Sequence, residues 1–129
     1  MRATAVKLVL TCVLMTLGLA VTGVQAREKA TDGVEATVPL GHLPQQGQET
    51  YRRIHEGGPF AFEKDGVVFG NRERLLPASK RGHYREYTVI TPGIHHRGMR
   101  RIVCGGPKTA PEACYYTADH YASFRRILP

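Results

Sequence analysis

The sequence predicts an α+β fold in which one main helix near the N-terminus packs on a five-stranded antiparallel sheet. Three observations carry that expectation. Residues 43–54, LPQQGQETYRRI, allow a single helix. Beyond them the pattern turns from helical to extended, in five short β-branched or aromatic runs. Turn formers such as Asp65-Gly66, Pro92-Gly93 and Gly105-Gly106-Pro107 separate those runs, and strands this close in sequence pair antiparallel.

The 129 residues do not all read as part of that fold. Arg2 and Lys7 give a positive start, LVLTCVLMTLGLAVTG is apolar, and Val24-Gln25-Ala26 ends in the small-x-small pattern of a signal-peptidase site. Residues 1–26 are therefore expected to be a secretory signal, with export as the destination. The apolar run is too short and too interrupted by Thr and Gly to make a good membrane anchor, so no stable insertion is expected once it is removed. Cys12 is a poor lipoprotein site, because Thr11 precedes it where Gly or Ala would be expected. Residues 27–42 start polar, charged and Gly-containing and are expected to form a flexible arm. Residues 43–129 remain as one small domain with a modest core.

Within that domain Pro44 falls in the first helical turn, Tyr51 and Ile54 share a face, and Gly57-Gly58-Pro59 stops the helix. Gly47 weakens it by roughly 1 kcal/mol. The strands are expected in GVVFGN, YREYTVIT, MRRIVCGG, ACYYT and SFRRIL. A sheet this small buries one face under the helix, which leaves the other face open for a ligand.

Charge and cysteine usage narrow the function classes. Two of the 18 basic residues and none of the 11 acidic ones lie in the leader, so the rest of the chain carries +5 with histidines neutral. Such a balance suits a polyanionic partner. After removal of the leader two cysteines remain, Cys104 and Cys114, and an even count in an exported chain reads as a disulfide. No metal-ligand spacing accompanies them. His95 and His96 are adjacent and point apart, so they read as a solvated basic loop, and no metal or cofactor is expected.

Four residues of the last third can do acid–base work on a phosphodiester: Glu86, Arg97, Arg101 and His120. A carboxylate can take a proton, an imidazole can return one, and two guanidinium groups can hold charge that builds on phosphorus. An ordinary glutamate is ionised at pH 7 and an ordinary histidine partly protonated, so both begin in the needed state. Strand alternation sets Glu86 opposite Tyr87 and Val89, and Arg101 opposite Arg100 and Ile102, so Glu86 and Arg101 can share the open face. The plainer explanation of that pair is a cross-strand ion pair worth about 0.2 to 1 kcal/mol. For His120 it is a surface histidine hydrogen-bonded by Asp119. Upstream, Phe69-Gly70-Asn71-Arg72-Glu73 is a strand end, a turn and a carboxylate, and a carboxylate accepts two hydrogen bonds where guanine offers N1 and N2 donors side by side.

Taken together, GPFAFEKDGVVFGNRERLLP, YREYTVITPG, RGMRRIVCGG and YYTADHYASF resemble the guanyl-specific microbial ribonucleases, the family of ribonuclease Sa, barnase and binase, and are most like ribonuclease Sa. The resemblance runs from about Leu43 to Ile127. It implies the same one-helix, five-strand fold and a secreted endoribonuclease that cuts single-stranded RNA 3′ of guanosine through a 2′,3′-cyclic phosphate. It also implies Glu86 as general base, His120 as general acid, and Arg97 and Arg101 as phosphate-binding groups. Glu73 matches the guanine-reading carboxylate, Phe69, Asn71 and Arg72 the loop that meets the base, and Tyr121 the other side of that pocket. A barstar-like acidic inhibitor is an implied partner, and a monomer is the default. Members of the Sa type tie the N-terminal arm to the C-terminus by a disulfide, whereas this chain has no cysteine in either place. The rival from another class is a catalytically silent exported domain of the same fold that binds RNA or another polyanion.

Overall fold

The computed structural model describes Val34 and residues 36–129; the expected signal segment and half of the expected arm lie outside the described residues. Five strands and one α-helix follow one another: β1 (Thr37–Pro39), a 3-10 turn (Leu40–His42), α1 (Gln45–Glu56), β2 (Tyr84–Thr88), β3 (Arg101–Gly105), β4 (Ala113–Thr117) and β5 (Arg125–Leu128). The strands form one sheet in the order β1-β5-β4-β3-β2.

The helix starts where Pro44 ends the extended backbone and stops at Gly57, whose φ of 84° no β-carbon has to tolerate. The N–H of Gly58 reaches back to the carbonyl of Arg53 at 2.9 Å, closing the last turn. Ile54 is the helix's main anchor, only 1% exposed, and packs with Val38, Leu43, Tyr87, Val89, Ile102, Tyr116 and Ile127 on one face of the sheet. Thr50 ties α1 to the sheet edge by donating to the carbonyl of Thr88 at 3.3 Å.

Two expectations are corrected. The sheet is mixed: β1 runs parallel to β5, pairing Val38 with Ile127, while the other pairs are antiparallel. Here the α1 region intervenes between β1 and the rest of the sheet, and long connections free strands from the hairpin geometry that governs close neighbours. The compact part also begins before Leu43, since Val38 is 6% exposed and its burial against Ile127 and Leu43 draws residues 37–42 out of the expected arm.

The first of the five expected strands, GVVFGN, is a broken edge. Its residues pair with β2 through one bridge, Val68 to Arg85, and through hydrogen bonds from the Phe69 N–H to Tyr84 and from the Glu86 N–H to Val67. Gly66 also donates to the carbonyl of Glu86 at 2.7 Å, so Gly66 and Val67 together face the single residue Glu86. That is a β-bulge with its glycine at φ 87°, a conformation the sequence supplies at Asp65-Gly66. The face away from α1 is not fully open either. Leu76, Tyr84, Val103, Tyr115 and Phe124 form a second small core there, and open surface remains at one end.

Cys104 and Cys114 sit directly opposite each other on β3 and β4 and are bonded. Replacing both by serine removes a cross-link over a short loop, which the chain-entropy model values at about 3 kcal/mol. Denaturant unfolding of the Cys104→Ser/Cys114→Ser protein should show a loss of this order with the fold retained.

Candidate active site

Register brings the charged groups together. Glu86 pairs with Val103 and Thr88 with Arg101, so Glu86, Thr88 and Arg101 project from the face opposite α1. The Glu86 side chain is 13% exposed, and a carboxylate removed that far from water needs donors. It has two: Nη2 of Arg97 reaches Oε1 at 3.1 Å and the Tyr121 hydroxyl donates to Oε2 at 2.7 Å. Arg97 is itself steadied by donating from Nε to the Thr88 hydroxyl at 2.9 Å, with Oδ1 of Asp65 at 4.0 Å from Nη2. Asp65 in turn accepts the Thr88 N–H at 2.7 Å, so the bulge loop and β2 are locked around the guanidinium.

Arg101 is 3% exposed. Its Nη1 donates to the carbonyls of Arg97, Gly98 and Arg100 at 3.2, 3.0 and 2.8 Å, and its Nε to the Tyr121 hydroxyl at 3.2 Å. Nη2 donates to nothing among the described residues, so a buried, fixed cation keeps one donor group for an anion. The plain cross-strand ion pair between Glu86 and Arg101 does not form; Tyr121 stands between them.

His120 is exposed on the loop after β4 and holds φ 53°, followed by Tyr121 at φ 70°. Two consecutive left-handed residues with β-carbons are costly and need bracing. The His120 N–H donates to Met99 at 3.0 Å and the Tyr121 N–H to the Thr117 hydroxyl at 3.2 Å. Asp119 does not bond the His120 ring. It accepts the Ser123 hydroxyl at 2.6 Å, the Ser123 N–H and the Thr117 hydroxyl, and the Ser123 contact is the main reason its carboxyl is held below the usual range. The acid residue thus fixes the loop and leaves the imidazole to the cleft.

Glu86 and His120 line one cleft of about 690 Å³, together with Phe69, Gly70, Asn71, Arg72, Glu73 and Tyr121. Asn71, at φ 49°, closes its loop by exchanging two side-chain hydrogen bonds with the backbone of Leu76, at 3.0 and 3.1 Å. Its amide side chain is therefore spent on structure. The backbone N–H groups of residues 70–73 donate to no acceptor among the described residues and are left for a ligand.

The Phe69 and Tyr121 rings are 5.0 Å apart and nearly parallel. A base inserted between them would need roughly 7 Å, two layers at van der Waals distance. The two rings therefore stack on each other, with no room for a base between them as they stand. Tyr121 has a second part that sequence reading missed, the bridge from Glu86 to Arg101. No local pattern marks that contact, because it spans 35 residues and depends on the His120-Tyr121 backbone. His95 and His96 are exposed outside the cleft, where Nδ1 of His96 accepts the Gly98 N–H at 3.0 Å.

A carboxylate held by a guanidinium and a phenol, with an imidazole across the same cleft, can move protons around a bound phosphate ester. The chain belongs to the ribonuclease family, whose model matches residues 25–128. Guanyl-specific ribonuclease Sa of Kitasatospora aureofaciens is 50% identical over 94 residues, covering 73% of this chain and 95% of that protein. Guanyl-specific ribonuclease Sa3 of the same organism is 59% identical over 85 residues, a match that spans only 58% of its length. Among solved structures, ribonuclease Sa2 with guanosine-2'-cyclophosphate superposes with a TM-score of 0.66 at 46% identity, over 73% of this chain and 97% of that one.

Burial, then the hydrogen bond to Glu86 and its charge, push the Tyr121 hydroxyl up to about 12. A proton held more tightly in the folded state than in the unfolded one leaves stability flat below about pH 10 and lowers it as pH rises from there through 12. Alkaline absorbance titration should show Tyr121 ionising well above the ordinary tyrosine range or with unfolding. A Tyr121→Phe variant should lose that late step and its share of the alkaline destabilisation.

Proposed function

We propose that this chain is an exported guanyl-specific endoribonuclease that cuts single-stranded RNA on the 3′ side of guanosine by metal-independent transesterification. Glu86 takes the proton of the 2′-hydroxyl, the 2′-oxygen attacks phosphorus, and His120 protonates the departing 5′-oxygen. The 2′,3′-cyclic phosphate is then hydrolysed with the two roles exchanged. Arg101, through its uncommitted Nη2, and Arg97 hold the charge that develops on the phosphoryl oxygens. The observation that carries the reading is the single cleft in which Glu86 and His120 meet the Phe69–Glu73 loop.

Guanine lies along that loop. Its N1 and N2 donors meet the carboxylate of Glu73, and its O6 accepts from the unsatisfied backbone N–H groups around Asn71 and Arg72. Adenine offers no N1 donor and no 2-amino group, so it leaves Glu73 unpaired, a loss that a desolvated site discriminates strongly. Phe69 and Tyr121 give the base an aromatic wall to stack on.

Export rests on residues 1–26 as a cleaved signal, followed by residues 27–36 as the arm and by the enzymatic domain, expected over residues 43–129 and extended back to residue 37 by β1. The Cys104–Cys114 bond supports an oxidising destination, since such bonds persist outside the cytosol. A nuclease of this kind endangers its producer, which favours a tight acidic, barstar-like inhibitor, and the enzyme is taken to act as a monomer.

Glu86→Gln should slow transesterification by roughly 10² to 10⁴ while RNA binding persists. Near-normal turnover in that variant would remove Glu86 from the reaction, and binding without any product in the wild type would leave only the silent polyanion-binding domain. Glu73→Ala should abolish the preference for GpX over ApX in a dinucleotide panel with the acid and base intact. Cleavage should persist in EDTA, and its loss would point to a metal nuclease.

A further inference from the structure

The loop that meets the base has a second side. Behind residues 68–72, away from Glu86 and His120, lies a groove of about 830 Å³ whose other wall is built from residues between 74 and 84. It shares Val68, Phe69, Gly70, Asn71 and Arg72 with the acid–base cleft, so one stretch of chain divides the two depressions. Its charge is one-sided. Arg72, Arg74, Lys80 and Arg81 line it and no carboxylate does, whereas the cleft carries Glu73 and Glu86.

All four cations are exposed, and none makes an ion pair or a side-chain hydrogen bond among the described residues. Four like charges gathered in one groove repel one another, and an anion bound there relieves that cost. Arg74 also holds φ 55°, a left-handed backbone that a long side chain rarely adopts. The turn keeps it there through the Asn71–Leu76 bonds and the Arg74 N–H donated to Asn71 at 3.0 Å.

We propose that this groove is a second RNA subsite, which binds backbone phosphates of the nucleotides on the 5′ side of the cleaved guanosine. The inference rests on the endoribonuclease reading. With the scissile phosphate beside Glu86 and His120 and the base along residues 69–73, the 3′ nucleotide departs past His120. The 5′ strand leaves over the dividing loop and enters the groove. Phosphodiesters of a flexible single strand match exposed, unpaired cations that no carboxylate competes for, and their binding releases counterions.

The test compares GpU, UpUpGpU and GpUpUpU as substrates for the wild type and for Lys80→Gln/Arg81→Gln, neither position belonging to the acid–base cleft. The upstream extension should raise kcat/KM on the order of tenfold at low salt. The double variant should lose that gain, flatten the salt dependence by a slope of about 1.4, and turn over GpU as the wild type does. A gain from GpUpUpU alone, or equal slowing of GpU and UpUpGpU in the variant, overturns the subsite. Cleavage of GpU with no upstream gain removes the groove and leaves the enzyme reading intact, while failure to cleave GpU removes the enzyme reading. Binding of labelled pUpUpU by fluorescence anisotropy decides the groove even then: weakening on the order of tenfold in the variant supports it, and equal binding overturns it.

Discussion

One contact organises this protein: a largely buried carboxylate, Glu86, gripped by Arg97 on one oxygen and by the Tyr121 hydroxyl on the other. A lone carboxylate at that depth would cost several kcal/mol of lost hydration, and removing either donor exposes the protein to part of it. Each partner is fixed from elsewhere. Arg97 leans on Thr88 and lies near Asp65, while Tyr121 is anchored through Thr117 and by Arg101, itself pinned by three carbonyls. The charged end of the sheet is thus a network in which polar groups satisfy one another with few left over.

That network also explains irregularities of the fold. The bulge at Gly66 and Val67 faces Glu86 itself, and it carries Asp65 to the Thr88 N–H. The left-handed pair His120 and Tyr121 turns one ring toward the cleft and sends the neighbouring hydroxyl onto Glu86. Backbone strain of this kind persists where surrounding contacts hold it, and here Met99, Thr117 and Asp119 with Ser123 supply them. The regular strands β3 and β4, cross-linked at Cys104 and Cys114, form the rigid floor from which both irregular loops depart.

Much of this was legible along the chain. Helix α1 stops at Gly57 as the Gly57-Gly58-Pro59 string requires, with its start moved from Leu43 to Gln45 because Pro44 remains extended. Four of the five extended runs contain strands, and alternation placed Glu86 and Arg101 on one face. The errors share a cause. Strand β1 looks like part of a polar arm because Thr37 and Pro39 face outward and only Val38 is buried. GVVFGN has the composition of a strand, yet a glycine bulge and exposed valines break it, and both depend on what lies beside it.

The chain by itself determined the chemistry available: which residues carry protons and charge, where turns interrupt extended runs, and that Cys104 and Cys114 stand either side of one short turn-rich loop. These are properties of residue type and local spacing, and periodicity of two or 3.6 residues reads them directly. Only the tertiary structure decided that Tyr121 bridges Glu86 and Arg101, that Asn71 spends its side chain on Leu76, that the Phe69 and Tyr121 rings stack on each other, and that β1 joins the sheet in parallel. Each of those joins groups at a distance or a direction set by packing and register, which no local pattern encodes.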